Sequence, residues 1–115
     1  MATPIYHMCR ADEWADAQAT GFYAGSSQDK ADGFIHFSTA EQIAVSAAKH
    51  RAGQDNLVLI EVPDAALGDA LKWEVSRGGT LFPHLYGALD ISKVARHAPL
   101  KLGPEGRHVF PWGLA

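Results

Sequence analysis

The strongest hydrophobic pattern in the chain is residues 57–62, Leu-Val-Leu-Ile-Glu-Val, apolar at every position but one. A short, nearly continuous apolar run rich in branched side chains predicts a strand buried on both faces and central in a sheet. Pro63 ends it. Residues 4–10 read as an opening strand, and residues 11–21, with Trp14, Ala15 and Ala17 among polar neighbours, as a short helix closed by Gly21. Residues 22–32 are rich in Gly, Ser and Asp and predict a loop, after which residues 33–37 form a second short strand. Ser38-Thr39-Ala40-Glu41 has the form of a capping box, with Ser38 bonding a free helix N–H and Glu41 reaching back. Ile43, Ala44, Ala47 and Ala48 carry that helix to about Arg51. Beyond the central strand, one helical turn is expected at 65–70. Residues 71–75, Leu-Lys-Trp-Glu-Val, alternate as a half-buried strand. A turn at 77–80, a strand at 82–89, a helical turn at 90–94 and a closing strand at 98–102 follow. From about residue 103 the tail reads as irregular, pinned by Phe110 and Trp112. The sum is a small α+β single domain over 1–115, with about six short strands and two early helices.

Three of the predicted strands carry a central imidazole: His7 in Pro4-Ile5-Tyr6-His7-Met8, His36 in Gly33-Phe34-Ile35-His36-Phe37-Ser38, and His84 in Phe82-Pro83-His84-Leu85-Tyr86-Gly87. A neutral imidazole donates from one nitrogen and accepts at the other, and it titrates near working pH. Converging histidines can bind a phosphate, hold a ribose hydroxyl or move a proton. Taken singly, each also reads as a core or edge histidine bonded to nearby backbone. Residues two apart on a strand share a face, so Tyr86 belongs beside His84, to stack on a ring ligand or to pack at the core rim. Glu74 is a candidate general base, or else an exposed strand position paired with Lys72 or Arg77. Ser38 and Thr39, at a helix start behind His36, suit an anion as well as a simple cap, and Gln42 lies one turn further on. Trp14 and Trp73 read as core, and Cys9 as a small buried apolar residue.

Composition narrows the classes. A net charge of −3 and a pI near 6.0 argue against a strong grip on nucleic acid or on an anionic membrane. The single cysteine allows neither an internal disulfide nor a cysteine-based zinc cluster. No His-Glu-x-x-His helix is present, so no metal is expected. Neither a signal peptide nor a membrane-length apolar run is visible, and the expected location is the cytoplasm. There is no Gly-x-Gly-x-x-Gly loop, no Walker A motif and no Gly-x-Ser-x-Gly elbow.

Taken together, Ile5-Tyr6-His7 with Glu13-Trp14, the run from Asp32 to Thr39 with Gln42, Trp73-Glu74, and Phe82-Pro83-His84-Leu85-Tyr86-Gly87 resemble the bacterial family called domain of unknown function 952. The resemblance spans nearly the whole chain and is thinnest after Leu102. It implies an ADP-ribosyltransferase-like fold near the RNA 2′-phosphotransferase branch, with NAD as the cofactor. On that resemblance His7 faces the nicotinamide-proximal ribose. His36, Ser38 and Thr39 match the second motif, with His36 a ribose or nicotinamide contact. The third motif usually supplies a catalytic glutamate. This chain has His84 and Tyr86 there instead, with Glu74 arriving from the preceding strand, a departure that argues against protein ADP-ribosylation. The implied function is an NAD- or nucleotide-binding protein, with transferase activity and His7, His36, His84 and Glu74 as the catalytic set. His7, His36, Ser38, Thr39, Gln42 and Tyr86 are the implied cofactor contacts. The alternative is a non-catalytic domain binding a small molecule or partner on the same scaffold.

Overall fold

The computed structural model describes residues 2–114. In chain order it runs β1 (Pro4–Arg10), α1 (Ala11–Thr20), β2 (Phe22–Tyr23), α2 (Ser27–Asp32), β3 (Ile35–His36), β4 (Ser38–Thr39), α3 (Ile43–His50), β5 (Leu57–Pro63), β6 (Leu71–Val75), β7 (Leu81–Leu85), β8 (Leu89–Asp90), β9 (Arg96–Leu102) and β10 (His108–Val109). Short 3-10 turns occupy Asp64–Ala70, Arg77–Gly79, Ile91–Lys93 and Pro104–Gly106. The class is α+β, and every strand pair is antiparallel.

The main sheet has the order β10-β9-β5-β1-β4, a second has β3-β7-β6, and β2 pairs with β8. β5 is central, as its nearly continuous apolar run predicts. Val58, Ile60 and Val62 join Ile5 and Cys9 of β1 in a core shared with Trp14, Tyr23, Phe37, Leu85 and Leu89. Leu57 and Leu59 face the other way, with Tyr6, Met8, Ile43, Ala47 and Leu100. Phe110 and Trp112 close over this second core, so the expected pinning of the tail holds. Arg96 helps: its guanidinium lies 4.3 Å from the Trp112 ring centre while its Nη2 donates to Glu61 at 3.0 Å.

Several local expectations fail for identifiable reasons. The predicted loop at 22–32 contains α2, capped reciprocally by Ser26 and Asp29. Ser38 caps nothing. It lies in β4, and α3 begins only at Ile43, after Gln42. The predicted strand at 33–37 breaks at Phe37, and Pro83 explains the break. Phe37 N–H donates to the Pro83 carbonyl at 2.9 Å, but a proline has no N–H to return. The ladder with β7 stops there, and the chain crosses to β1 as β4, curling one sheet into the next. The strand expected at 82–89 ends at Leu85, and β8 is separate from it. The tail is not wholly irregular, because β10 adds an edge strand against β9. Trp14 is core, but Trp73 keeps 39% of its surface exposed. No helix among the described residues is long and apolar enough to cross a membrane.

Candidate functional site

The small sheet β3-β7-β6 has two unlike faces. Ile35, Leu85 and Leu71 stand in register across it, and the first two are buried in the core. One residue on, the register sets His36, His84 and Lys72 in a row on the opposite face. Strand alternation adds Phe34, Glu74 and Phe82 to the same side. The Phe34 ring stacks on His84, with centroids 4.1 Å apart at 27°, and touches Tyr86 at 5.3 Å. The His36 and His84 rings meet edge to face at 5.5 Å.

His84 is 7% exposed, and its Nδ1 lies 2.8 Å from Glu74 Oε1. The carboxylate requires a proton on Nδ1, so the neutral ring has its lone pair on Nε2. Tyr86 donates to the same carboxylate oxygen at 2.8 Å. The hydrogen bond from His84, then that from Tyr86, hold Glu74 below the usual glutamate range. The same bond pushes the Tyr86 phenol up. This is a histidine held in one tautomer and orientation by a carboxylate, the arrangement acid–base chemistry needs.

His36 sits between two carboxylates. Its Nδ1 is 2.5 Å from Asp29 Oδ1, and its Nε2 is 3.0 Å from Asp32 Oδ2. Only a ring protonated on both nitrogens donates to both. Asp29 is 3% exposed and also accepts from the backbone N–H of Ser26 at 2.8 Å and of His36 at 3.2 Å. Burial raises its pKa, but the His36 hydrogen bond and these backbone donors outweigh burial and hold it at about 2. Gly25 makes room for this carboxylate: its φ is +98°, and a Cβ there would lie 2.7 Å from the Asp29 Cβ.

His7 is 4% exposed, and both its nitrogens are bonded. Its Nδ1–H donates to the His36 carbonyl at 2.6 Å, and the Tyr23 hydroxyl donates to its Nε2 at 2.7 Å. Burial holds His7 below the ordinary histidine value, with the Asp29 charge opposing. The ring is therefore neutral when folded, and folding excludes a proton that the unfolded chain accepts below about 6.5. Stability from this group is complete above that value and falls as pH drops through it. Asp29 adds a second loss only as pH falls from about 3.8 toward about 2. The His7 contribution to the unfolding free energy should therefore decline toward acid between about pH 7.5 and 5, by up to about 1.4 kcal/mol per pH unit for one proton, and NMR titration of the His7 ring in the folded protein checks it. A His7 ring that takes up its proton near about 6.5 in the folded protein would overturn this reading.

The structure thus brings His36, His84, Glu74 and Tyr86 together and joins His7 to them through the His36 backbone. Ser38 is apart from this group. It pairs with Tyr6, faces α3, and its hydroxyl lies 2.8 Å from that of Ser46. Thr39 lies opposite Ile5, and its N–H donates to Gln42 Oε1 at 3.0 Å. The Gln42 amide in turn donates to the Leu81 carbonyl at 2.7 Å, tying α3 to β7. Cys9 is buried in the core, and burial pushes its thiol up to about 12, leaving it inert. Among the described residues, no three His, Cys, Asp or Glu side chains are grouped to hold a metal ion.

Asp29, Asp32, Tyr23, Phe34 and Lys72 were not among the expected site residues. Strand alternation from His36 and Glu74 would have found Phe34 and Lys72. The Ser26-x-x-Asp29 spacing behind Gly25 would have found the cap and its carboxylate. Two shallow depressions flank the site, one of about 190 Å³ between α1 and the start of α2, the other of about 160 Å³ beside Phe34 and Gly87. Both are smaller than the roughly 300–1,000 Å³ of a typical enclosed ligand pocket. Neither encloses a whole dinucleotide.

The comparisons with known proteins agree with one another. The crystal structure of protein CC0527 from Caulobacter crescentus superposes with a TM-score of 0.90 at 50% identity, covering 93% of this chain and 94% of that one. The solution NMR structure of CC0527 gives a TM-score of 0.82 at 50% identity, covering 90% of each chain. No curated protein matches. The family model described as protein of unknown function (DUF952) matches residues 8–97, and the chain belongs to that family.

Proposed function

We propose that the polar face of β3-β7-β6 binds a nucleotide, with NAD as the first candidate. The observation that supports this reading most directly is the Phe34–His84 stack beside Tyr86 and His36. Phe34 and Tyr86 offer aromatic surface to a base or nicotinamide ring, and the Nε2 of His84, whose Nδ1 is held by Glu74, offers a polar contact to a ribose hydroxyl. NAD itself comes from the family resemblance to ADP-ribosyltransferase-like proteins. So does transfer chemistry, for which His84, oriented by Glu74, would be the base. In this reading His7 supports the site from behind through the His36 carbonyl, and Ser38, Thr39 and Gln42 shape the scaffold.

Titration of the labelled protein with NAD and, separately, ADP-ribose tests the reading by NMR. Saturable shifts are expected at Phe34, His36, His84 and Tyr86, and nicotinamide release would then be assayed. No shift at millimolar ligand would sink the nucleotide reading. A second reading, a binding domain without turnover, draws support from Glu74, whose carboxylate is already engaged by His84 and Tyr86. Shifts without nicotinamide release would select it.

A further inference from the structure

β6 is the outer strand of the sheet β3-β7-β6. Its hydrogen-bond phase follows from two bonds that bracket the hairpin. Ser76 N–H donates to the Thr80 carbonyl at 2.9 Å, and Tyr86 N–H to the Ala70 carbonyl at 2.8 Å. Bonded pairs alternate along an antiparallel ladder, so the backbone groups of Lys72 and Glu74 point to β7. Those of Leu71, Trp73 and Val75 point outward, the Leu71 N–H to the Gly68 carbonyl of the preceding turn. The apolar side chains at this edge are also uncovered: Val75 is 69% exposed, Leu81 opposite it 49%, and Trp73 39%. An open edge with exposed apolar residues is a template for another strand.

We propose that this edge pairs with the same edge of a second copy of the chain, antiparallel and centred on Trp73. In that register Trp73 faces Trp73 across the two-fold axis, and Leu71 faces Val75 of the second copy. The Leu71 N–H already donates to the Gly68 carbonyl, so the groups that gain partners are the N–H and carbonyl of Trp73, the N–H of Val75 and the carbonyl of Leu71. Lys72 faces Glu74 of the second copy, in the non-bonded positions where side chains approach most closely. The charge pattern selects this register. Centring on Lys72 sets lysine against lysine, and centring on Glu74 sets carboxylate against carboxylate; both are repulsive. The symmetry is isologous, so each contact occurs twice. An isolated Lys72 on an edge strand would deter such pairing, but Glu74 two residues away reverses its effect. The assembly also reaches the candidate site. Lys72 of the second copy comes beside Glu74, whose carboxylate holds His84 and Tyr86, and the polar faces of the two copies become continuous. The pairing stands on the edge itself and is independent of the nucleotide reading.

Sedimentation of the full chain without ligand tests it, so failure here is separable from failure to bind a nucleotide. A concentration-dependent dimer is expected for the wild type. Lys72→Glu, at an exposed position, should keep its circular dichroism spectrum and weaken the dimer by roughly tenfold or more, because it sets two like-charge pairs in place of two ion pairs. Mixed isotope labelling should show intermolecular contacts between Trp73 rings. A wild-type monomer at high concentration, a Lys72→Glu dimer of unchanged affinity, or a dimer without Trp73 contacts would each overturn the proposal.

Discussion

Asp29→Ala should lower the free energy of unfolding by about 3–5 kcal/mol, the range for removing one partner from a buried ionic cluster. One carboxylate here ends α2's N-terminal turn, holds β3 by its backbone and fixes the His36 ring. Without it, the Ser26 and His36 N–H groups lose their acceptor in a buried setting, and an unmade buried bond costs more than a made one contributes. Asp32→Ala is the control. That carboxylate meets the other His36 nitrogen, but with 36% of its side chain exposed, so its loss should cost less than about 1 kcal/mol. Urea unfolding of both variants measures the difference. Equal effects would mean that the buried cluster adds nothing beyond a surface pair. Because Asp29 anchors the strand that carries His36, the mutant should also lose order across the polar face, visible as broadened Phe34 and His36 resonances.

Leu59→Ala should destabilise by about 2–5 kcal/mol, the span for emptying a buried leucine site. Leu59 has no exposed surface and lies mid-strand between Met8 and Ala98, under α3. Strands on both sides and a helix above leave little room for collapse, so the upper half of that range is expected. For a domain whose whole stability is about 5–15 kcal/mol, this is a large share. An unchanged melting temperature would be incompatible with the packing on this face of the sheet. The polar face of β3-β7-β6 lies in the other sheet, so NMR shifts of Tyr86 should stay near wild type in the folded mutant.

Much of the site was legible in the primary structure because strand alternation is a local rule. His84, Tyr86 and Glu74 belonged to neighbouring strands, and their meeting required only that those strands pair as a hairpin. The turn made that easy: Gly78 and Gly79 both take positive φ, +67° and +78°, which suits glycine far better than other residues. The meeting of His36 with His84 needed β3 to pair with β7 in one particular register, which no local pattern specifies. Ser38 was misplaced for a related reason. A serine three residues before a glutamate satisfies the capping pattern, but β4 pairing with β1 used those backbone groups first, and the helix began later.

What the sequence determined by itself was periodicity and chemistry. An apolar run at 57–62 reads as a buried central strand, alternation at 71–75 as a strand with one polar face, and three strand histidines as polar groups at a sheet surface. Those follow from side-chain spacing and the hydrophobic effect, which act over a few residues. Tertiary structure decided which polar groups meet. Pro83, lacking an N–H, ended the β3–β7 ladder and sent the chain to β1. Asp29 became the hub of the histidine cluster only once α2 packed against β3. His7, a candidate ligand contact by its position on a strand, became a buried neutral strut because Tyr23 and the His36 carbonyl took both of its nitrogens. A hydrogen bond depends on where its partner arrives, and partners separated by 16 or 29 residues are set by the packing of the whole domain.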